Sequence, residues 1–308
     1  MPMRWHDFGI ARTSTASCAR PRNSATREPC AAAQVNFRAS NQFEYIDGQL
    51  RPAHAALFEQ IAAENDRAVN EGQPTLEIAY GQHPRQTLDL FRTPKRRRAT
   101  IAFFHAGYWQ SRDKSGFSFL APPLAEDGFD VAIINYPLSP DVGVNDIVVA
   151  AYASLPALAA LTENAPLILV GHSAGAQIAI ELGMSAQSVD WNVTGVMAIS
   201  GVFDLAPLIG TSVNEKLALD PVAARAASPL HRVVSGSPQA IFAVGALETQ
   251  AFRDQTARMS EAWAGAGNAT VHMTIPDADH FSVLNELCQK DGMLRAAMRD
   301  LDQPRVTS

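Results

Sequence analysis

Two kinds of apolar segment alternate along the chain from about residue 37. Short, nearly continuous apolar runs are typical of buried strands, and longer segments have apolar positions at helical spacing. The predicted strands cover residues 76–80, 87–91, 101–104, 129–136, 167–170, 193–200, 240–244 and 270–275. The predicted helices cover residues 53–70, 146–161, 174–184 and 249–264, and a final helix follows residue 280. This alternation predicts an α/β fold, a mostly parallel sheet with helices on both faces.

One connection between predicted strands is longer than the others. Residues 201–230 contain a helical piece over residues 214–226, despite Pro221. An insertion near the C-terminal edge of such a sheet would cover the crevice where α/β proteins bind ligands. We therefore predict a small helical cap over about residues 201–230.

The N-terminal segment differs from the rest of the chain. Residues 1–34 contain five arginines against Asp7 and Glu28, many small polar residues and no sustained periodicity. Such a segment buries too little apolar surface to order itself. We predict a disordered extension over residues 1–34 and one folded domain over residues 35–308.

Composition excludes several classes of protein. The net charge of -6 argues against nucleic-acid binding, which needs a basic face. The longest mostly apolar run, residues 147–161, contains Pro156 and is too short for a membrane span, so no membrane partner is predicted. Cys18, Cys30 and Cys288 have no partner at ligand spacing, which predicts free thiols in a reducing, cytoplasmic compartment.

The strongest local motif is Gly-His-Ser-Ala-Gly at residues 171–175. It lies between a predicted strand and a predicted helix, the context of the nucleophile elbow of α/β-hydrolases. The sharp turn there strains the backbone of Ser173 and exposes its hydroxyl, and the flanking glycines avoid collisions. We therefore predict Ser173 as the nucleophile of a serine hydrolase.

A serine hydroxyl is a weak nucleophile until a base takes its proton. The chain has eight histidines, and His280 follows the last predicted strand, where this fold places its base. The third member should be a carboxylate after the penultimate strand, which indicates Glu248. Its rivals are Asp254, predicted to lie on the following helix, and two carboxylates close in sequence to the base, Asp277 and Asp279.

A loop that could bind an oxyanion follows the predicted strand 101–104. Its sequence is His-Ala-Gly-Tyr-Trp, and the backbone N–H of Ala106 or Gly107, with that of Ala174, would stabilise a tetrahedral intermediate. Two aromatic residues of this loop either line the substrate pocket or pack in the core: Tyr108 and Trp109.

With these residues, the chain resembles the kynurenine formamidase (arylformamidase) branch of the α/β-hydrolases, near the hormone-sensitive-lipase-like esterases. That branch has an H-G-G-x-W loop, matched here by residues 105–109. Further similar stretches are residues 80–81, 86–89, 200–205 and 279–281. Two positions depart from the family: Ala106 replaces a glycine, and Glu248 stands where these enzymes usually have Asp.

The resemblance implies cleavage of an aryl formamide, with N-formyl-kynurenine hydrolysed to kynurenine and formate. It implies a small-molecule substrate and no metal or organic cofactor, and by analogy a homodimer. The alternative within the same chemistry is a general carboxylesterase acting on short acyl esters. An alternative from another class is a catalytically silent binding protein on a hydrolase fold.

Overall fold

The structure is a computed structural model and describes residues 40–186 and 191–302. The predicted extension, residues 1–34, lies outside the described residues. Within them, eight strands form one sheet. The strands are β1 (Thr75–Ala79), β2 (Thr87–Phe91), β3 (Ala99–Phe104), β4 (Phe129–Ile134), β5 (Leu167–His172), β6 (Val193–Ile199), β7 (Gln239–Gly245) and β8 (Thr270–Ile275).

The strand order is β1-β2-β4-β3-β5-β6-β7-β8. The first two strands run antiparallel to their neighbours, and the six from β3 to β8 are parallel. The carboxyl ends of parallel strands meet at one edge of a sheet, where α/β proteins bind ligands. The loops after β3, β5, β7 and β8 therefore lie at the same edge, and these loops contain the predicted site residues.

Helices cover both faces of this sheet, as predicted. The longer helices are α1 (His54–Gly72), α3 (Val144–Tyr152), α4 (Ser154–Leu161), α5 (Ala174–Ser185) and α8 (Gln250–Gly265). The shorter ones are α2 (Ala121–Glu126), α6 (Asn214–Leu217), α7 (Pro221–Ala226), α9 (Asn285–Cys288) and α10 (Met293–Met298). The architecture confirms the predicted α/β class.

The side chains of each strand alternate between two cores. On β5, Leu169 faces a core that includes residues of α3, α4, α5 and α8. Its neighbours Ile168 and Val170 face the opposite core, which includes residues of α1, α2 and α10. All three are at most 1% exposed, so β5 is buried on both faces. This explains why its sequence is a continuous apolar run rather than an alternating one.

The apolar segment predicted as one helix over residues 146–161 is two helices, α3 and α4, with the break at Ala153. The break lies three residues before Pro156. A proline ring collides with the carbonyl four residues earlier, here that of Tyr152, so the first helix ends there.

The same apolar stretch is longer than the predicted run. It begins at Val144, and residues 144–161 are by length and hydropathy alone sufficient to cross a membrane. In the structure its buried residues, including Ile147 and Leu155, join the core beside α5. The absence of a membrane partner stays a prediction.

The connection over residues 201–230 contains two short helices rather than one. Pro221 is the first residue of α7, where its missing N–H is not needed, and the Asp220 side chain caps this helix by accepting from the Ala223 N–H at 2.7 Å. The final helix expected after His280 is likewise divided, into α9 and α10. The role of residues 201–230 as a cap stays a prediction.

We expect Leu169→Ala to lower the free energy of unfolding by about 2–5 kcal/mol, because it leaves a cavity in a strand that is buried on both faces. Val149→Ala on α3 is the control, since Val149 is 72% exposed and its truncation should change stability by no more than about 0.5 kcal/mol. Urea unfolding measures both, and equal effects would contradict the packing described.

Candidate active site

Ser173 occupies the turn between β5 and α5, in a strained conformation. Its φ is 56° and its ψ is -119°, which a non-glycine residue adopts only when the surroundings enforce it. The Ser173 N–H donates to the Ile199 carbonyl of β6 at 2.8 Å, and its carbonyl accepts from the Ala176 N–H at 3.0 Å. The backbone is therefore fixed on both sides of the side chain, as in a nucleophile elbow.

Two glycines make this turn sterically feasible. A methyl group on Gly171 would lie 2.0 Å from the carbonyl oxygen of Gly175. A methyl group on Gly175 would lie 2.0 Å from the carbonyl oxygen of Phe104, at the end of β3. The N-terminus of α5 therefore packs directly on the start of the loop that follows β3. This contact brings Ala174 close to the predicted oxyanion loop.

Glu248 and His280 form a buried hydrogen-bonded pair. His280 Nδ1 lies 2.7 Å from Glu248 Oε2, and the two residues are 4% and 2% exposed. The other carboxylate oxygen, Oε1, accepts from the Ser200 hydroxyl at 2.6 Å and from the Gly245 N–H at 2.7 Å. Because a carboxylate can only accept, Nδ1 of His280 donates to Glu248, and Nε2 is the ring nitrogen left to accept a proton.

The loops that hold this pair are joined by their backbones. The Leu247 N–H donates to the Ala278 carbonyl at 2.9 Å, so the loop after β7 is bonded to the loop after β8. A methyl group on Gly245 would lie 2.3 Å from the same Ala278 carbonyl. Glycine is therefore required at the end of β7 for Glu248 to approach His280.

The rival carboxylate Asp279 has different partners. Its Oδ2 lies 2.8 Å from Nε2 of His54 on α1, and its Oδ1 accepts from the N–H groups of Phe281 and Ser282. Burial would raise its pKa, but these hydrogen bonds outweigh that effect and lower the pKa to about 2. Asp279 thus ties the loop of His280 to α1 and is not the hydrogen-bond partner of the His280 ring.

The other two rivals also lie apart from this pair. Asp254 is on α8, where its carboxylate accepts from the Gln250 side chain at 2.6 Å. Asp277 has a φ of 56° in the turn that follows β8. Of the four carboxylates considered, Glu248 is the one that contacts the His280 ring.

His172, the residue before Ser173, contacts His280 and so links the turn of Ser173 to the loop of His280. Nε2 of His172 lies 2.7 Å from the His280 carbonyl, and the two rings are 4.9 Å apart between centroids. Burial lowers the pKa of His172 well below its usual value, so it is neutral and donates through Nε2. Within the described part of the chain the Ser173 hydroxyl makes no hydrogen bond to the His280 ring. Such bonds are often long in ligand-free enzymes, and this contact stays a prediction.

The predicted oxyanion loop has a fixed backbone. Gly107 has a φ of 135°, and its carbonyl accepts from the N–H groups of Gln110 and Ser111 at 3.0 and 3.1 Å. The Ala106 carbonyl lies 2.7 Å from Nδ1 of the buried His105 ring. In a planar trans peptide the N–H points opposite to the C=O, so the Gly107 N–H is directed away from that ring.

The buried His105 ring packs against aromatic side chains and fixes the start of this loop. Its ring stacks on Tyr136 at 4.3 Å and on Phe117 at 5.8 Å between centroids. The Tyr136 hydroxyl also donates to the His105 carbonyl at 2.6 Å. Burial lowers the pKa of His105 to about 4, so the imidazole is neutral at physiological pH. The histidine therefore acts as a rigid packing element under the Ala106 peptide.

The two aromatic residues of the loop have different surroundings. Trp109 is fully buried, and its ring N–H donates to the side chain of Gln177 on α5 at 3.1 Å. This favours the core-packing alternative for Trp109. Tyr108 is partly exposed, and its hydroxyl donates to the Tyr45 carbonyl in a segment that precedes α1. The assignment of both residues to the substrate pocket stays a prediction.

Sequence reasoning missed several residues that position this site. Ser200 holds the carboxylate of Glu248, and His54 holds the loop of His280. Tyr45 joins Tyr108 to α8, because its hydroxyl accepts from Gln255 at 2.9 Å. Ser200 lies in residues 200–205, one of the stretches similar to the kynurenine formamidase branch, and that similarity is the signal that could have identified it. The roles of His54 and Tyr45 depend on contacts between distant parts of the chain.

The fold and this edge of the sheet define an α/β-hydrolase. A family model for the alpha/beta hydrolase fold matches residues 101–284, more than half of the chain. The chain therefore belongs to the α/β-hydrolase family. It is a hydrolase that acts on a small-molecule substrate.

Individual relatives indicate which members of the α/β-hydrolase family this chain is similar to. The chain is 29% identical to a kynurenine formamidase of Danio rerio over 74% of this chain and 82% of the relative. It is 25% identical to a kynurenine formamidase of Drosophila melanogaster, over 80% and 88%. A solved protein from a Silicibacter species, provisionally named a thioesterase, is 30% identical with a TM-score of 0.74, over 83% of this chain and 97% of its own. The resemblance to kynurenine formamidases is confirmed.

We expect Gly175→Ala to destabilise the protein, because the added methyl group would lie 2.0 Å from a backbone oxygen. Overpacking of this kind typically lowers the free energy of unfolding by about 1–3 kcal/mol. Gly265→Ala at the end of α8 is the matched control, since no atom lies within 4 Å of the added methyl group. The control should leave stability unchanged or raise it by up to about 1 kcal/mol. Thermal unfolding compares the two, and equal stabilities would contradict the close contact.

Proposed function

We propose that this chain hydrolyses an aryl formamide, converting N-formyl-kynurenine to kynurenine and formate. The observation that supports the chemistry best is the buried hydrogen bond between Glu248 and His280 beside the strained turn of Ser173. The observation that supports the substrate is the similarity to kynurenine formamidases over about three quarters of the chain. In this proposal, Ser173 is the nucleophile, His280 the general base and Glu248 the residue that orients it.

The reaction begins when the Ser173 hydroxyl attacks the formyl carbon. Nε2 of His280 takes the hydroxyl proton, and Glu248 stabilises the imidazolium that forms. The new oxyanion accepts hydrogen bonds from the N–H groups of Ala174 and Gly107, with Ala106 as the alternative donor in the loop. The N-terminus of α5, a helix of 12 residues, adds partial positive charge at the same place.

The second half of the reaction releases both products. The tetrahedral intermediate collapses, the C–N bond breaks, and His280 gives its proton to the leaving aniline nitrogen. Water then attacks the formyl group on Ser173, and His280 removes a proton from that water. Breakdown of the second tetrahedral intermediate returns the proton to the Ser173 oxygen and frees formate.

Hydrolysis of acyl esters is the second candidate. One observation favours an ester or thioester bond over an amide bond, the 30% identity to the solved protein provisionally named a thioesterase. The same serine, base and oxyanion donors would serve either substrate, because both pass through a tetrahedral intermediate and an acyl-enzyme. The two candidates therefore differ in the contacts made to the leaving group, and a comparison of substrates separates them.

We expect a higher kcat/KM for N-formyl-kynurenine than for a short p-nitrophenyl ester. Ser173→Ala should lower both values at least about 10³-fold, because it removes the nucleophile. Turnover of the ester without turnover of the formamide would overturn the formamidase proposal and leave the serine hydrolase assignment in place. Full activity of Ser173→Ala on both substrates would overturn the assignment of the nucleophile.

We expect Glu248→Gln to lower kcat on the order of 10²–10⁴-fold, because an amide neither stabilises the imidazolium nor enforces the required tautomer. Asp254→Asn is the matched control, since its carboxylate contacts Gln250 on the exposed side of α8. The control should retain wild-type kcat. Steady-state kinetics on one substrate measures both variants, and equal losses in both would contradict the role of Glu248.

A further inference from the structure

An apolar pocket adjoins the candidate catalytic residues. It is bounded by Ala106 of the oxyanion loop, by His172, which precedes Ser173, and by Phe281, which follows His280. Three more phenylalanines line it, contributed by α1 and by the segment between the oxyanion loop and α2: Phe58, Phe117 and Phe119. Four phenylalanine rings give the pocket apolar walls, and an aromatic group packs favourably against the faces and edges of such rings.

Arg112 is the one charged side chain among the described residues that line this pocket. Its guanidinium carbon lies 6.0 Å from the centre of the Phe58 ring, within the range of a cation–π contact. Burial lowers the pKa of Arg112 to about 10, so the side chain is still protonated at neutral pH. The pocket therefore combines aromatic walls with one partly desolvated positive charge.

The backbone holds Arg112 close to the oxyanion loop. A methyl group on Gly107 would lie 2.9 Å from Cγ of Arg112. The Arg112 side chain therefore packs directly against Gly107, whose N–H is the predicted oxyanion donor. Arg112 has a φ of 75°, and its carbonyl accepts from the Arg85 side chain at 2.9 Å. Strain of this kind in a non-glycine residue is concentrated at functional sites.

His172 contributes a second polar group to the same wall. Its Nε2 donates to the His280 carbonyl, so Nδ1 carries a lone pair. This buried nitrogen has no hydrogen-bond partner among the described residues. An unpaired buried acceptor is unfavourable, and an N–H or O–H donor of a ligand would relieve it.

We propose that this pocket binds the aromatic group of the substrate and that Arg112 is a specificity-determining residue that binds a carboxylate on that group. The substrate class is then an aryl formamide whose ring bears a side chain with a carboxylate, rather than a simple anilide or a simple ester. This inference rests on the proposed formamidase function and adds to it the group that distinguishes the substrate. A charge-assisted, two-pronged contact between guanidinium and carboxylate supplies the selectivity.

The test compares two formamides, N-formyl-kynurenine, whose side chain carries a carboxylate, and formanilide, which has no carboxylate. The readout is the ratio of their kcat/KM values in wild type, Arg112→Gln and Arg112→Lys. The ratio should fall about ten- to a hundredfold in Arg112→Gln, mainly through KM for the substrate with the carboxylate, and less in Arg112→Lys, which keeps the charge. Arg96→Gln is the matched control, because Arg96 is exposed before β3, at the opposite end of the parallel strands from the site. It should leave the ratio unchanged.

A second measurement keeps the inference separate from the proposed function. Kynurenine should inhibit hydrolysis of p-nitrophenyl acetate by the wild type, and its inhibition constant should rise about tenfold or more in Arg112→Gln. If the wild type hydrolyses N-formyl-kynurenine and the ratio is unchanged in both Arg112 variants, the role of Arg112 is overturned and the formamidase proposal stands. If neither formamide is hydrolysed, the formamidase proposal fails, and Arg112-dependent inhibition by kynurenine would still support the anion site. Absence of that inhibition would overturn it.

Should Arg112→Gln fail to fold, as judged by circular dichroism, Arg112→Lys alone decides the outcome. A lysine cannot reproduce the planar fork, so a ratio at least a few times below that of the wild type supports the inference. A wild-type ratio in a folded Arg112→Lys protein, together with unchanged inhibition by kynurenine, overturns it.

Discussion

The contact between Gly175 and the carbonyl of Phe104 fixes the relation between the two halves of the site. Any side chain at residue 175 would move α5 away from β3, because even a methyl group would lie 2.0 Å from the oxygen. With glycine there, the N-terminus of α5 packs directly against the end of β3 and the start of the loop that follows it. The strained turn of Ser173 therefore lies beside the start of the loop that contains Gly107. Such a fixed backbone is what electrostatic stabilisation of an oxyanion would require.

The other half of the site depends on how Glu248 is held. Both of its carboxylate oxygens accept hydrogen bonds, one from the His280 ring and the other from the Ser200 hydroxyl and the Gly245 N–H. Hydrogen bonds to a charged group contribute about 1.5–3 kcal/mol each, so these contacts hold the Glu248 side chain in place in a site that is 2% exposed. The imidazole in turn is enclosed by the rings of Phe252 and His172, 4.5 and 4.9 Å away between centroids. The His280 ring thus has one orientation, set by packing and by one hydrogen bond.

The fold and the core of the site were predictable because they depend on local patterns. Apolar-rich runs marked every strand to within about two residues. The runs are nearly continuous in central strands such as β3 and β5, which are buried along their whole length, because a strand buried on both faces allows few polar residues. Glu248 was selected by its place after β7, and the structure gives it the contact with His280. Asp279, which lies next to His280 in sequence, has instead paired with His54, 225 residues away. Sequence spacing does not reveal such a partner, because it depends on where α1 packs.

Arg112 was missed because it lies in a polar stretch without periodicity, where no sequence pattern sets it apart from its neighbours.

The most direct test of this account is covalent labelling with an aryl fluorophosphonate, followed by intact mass and peptide mapping. The account predicts one adduct per chain on Ser173, formed more slowly in Glu248→Gln because the base is no longer oriented. Labelling should also cease when the protein is unfolded, since reactivity depends on the assembled site. No adduct on the folded protein, or an adduct on another serine at the same rate, would contradict the claim that this turn and this histidine make Ser173 a nucleophile.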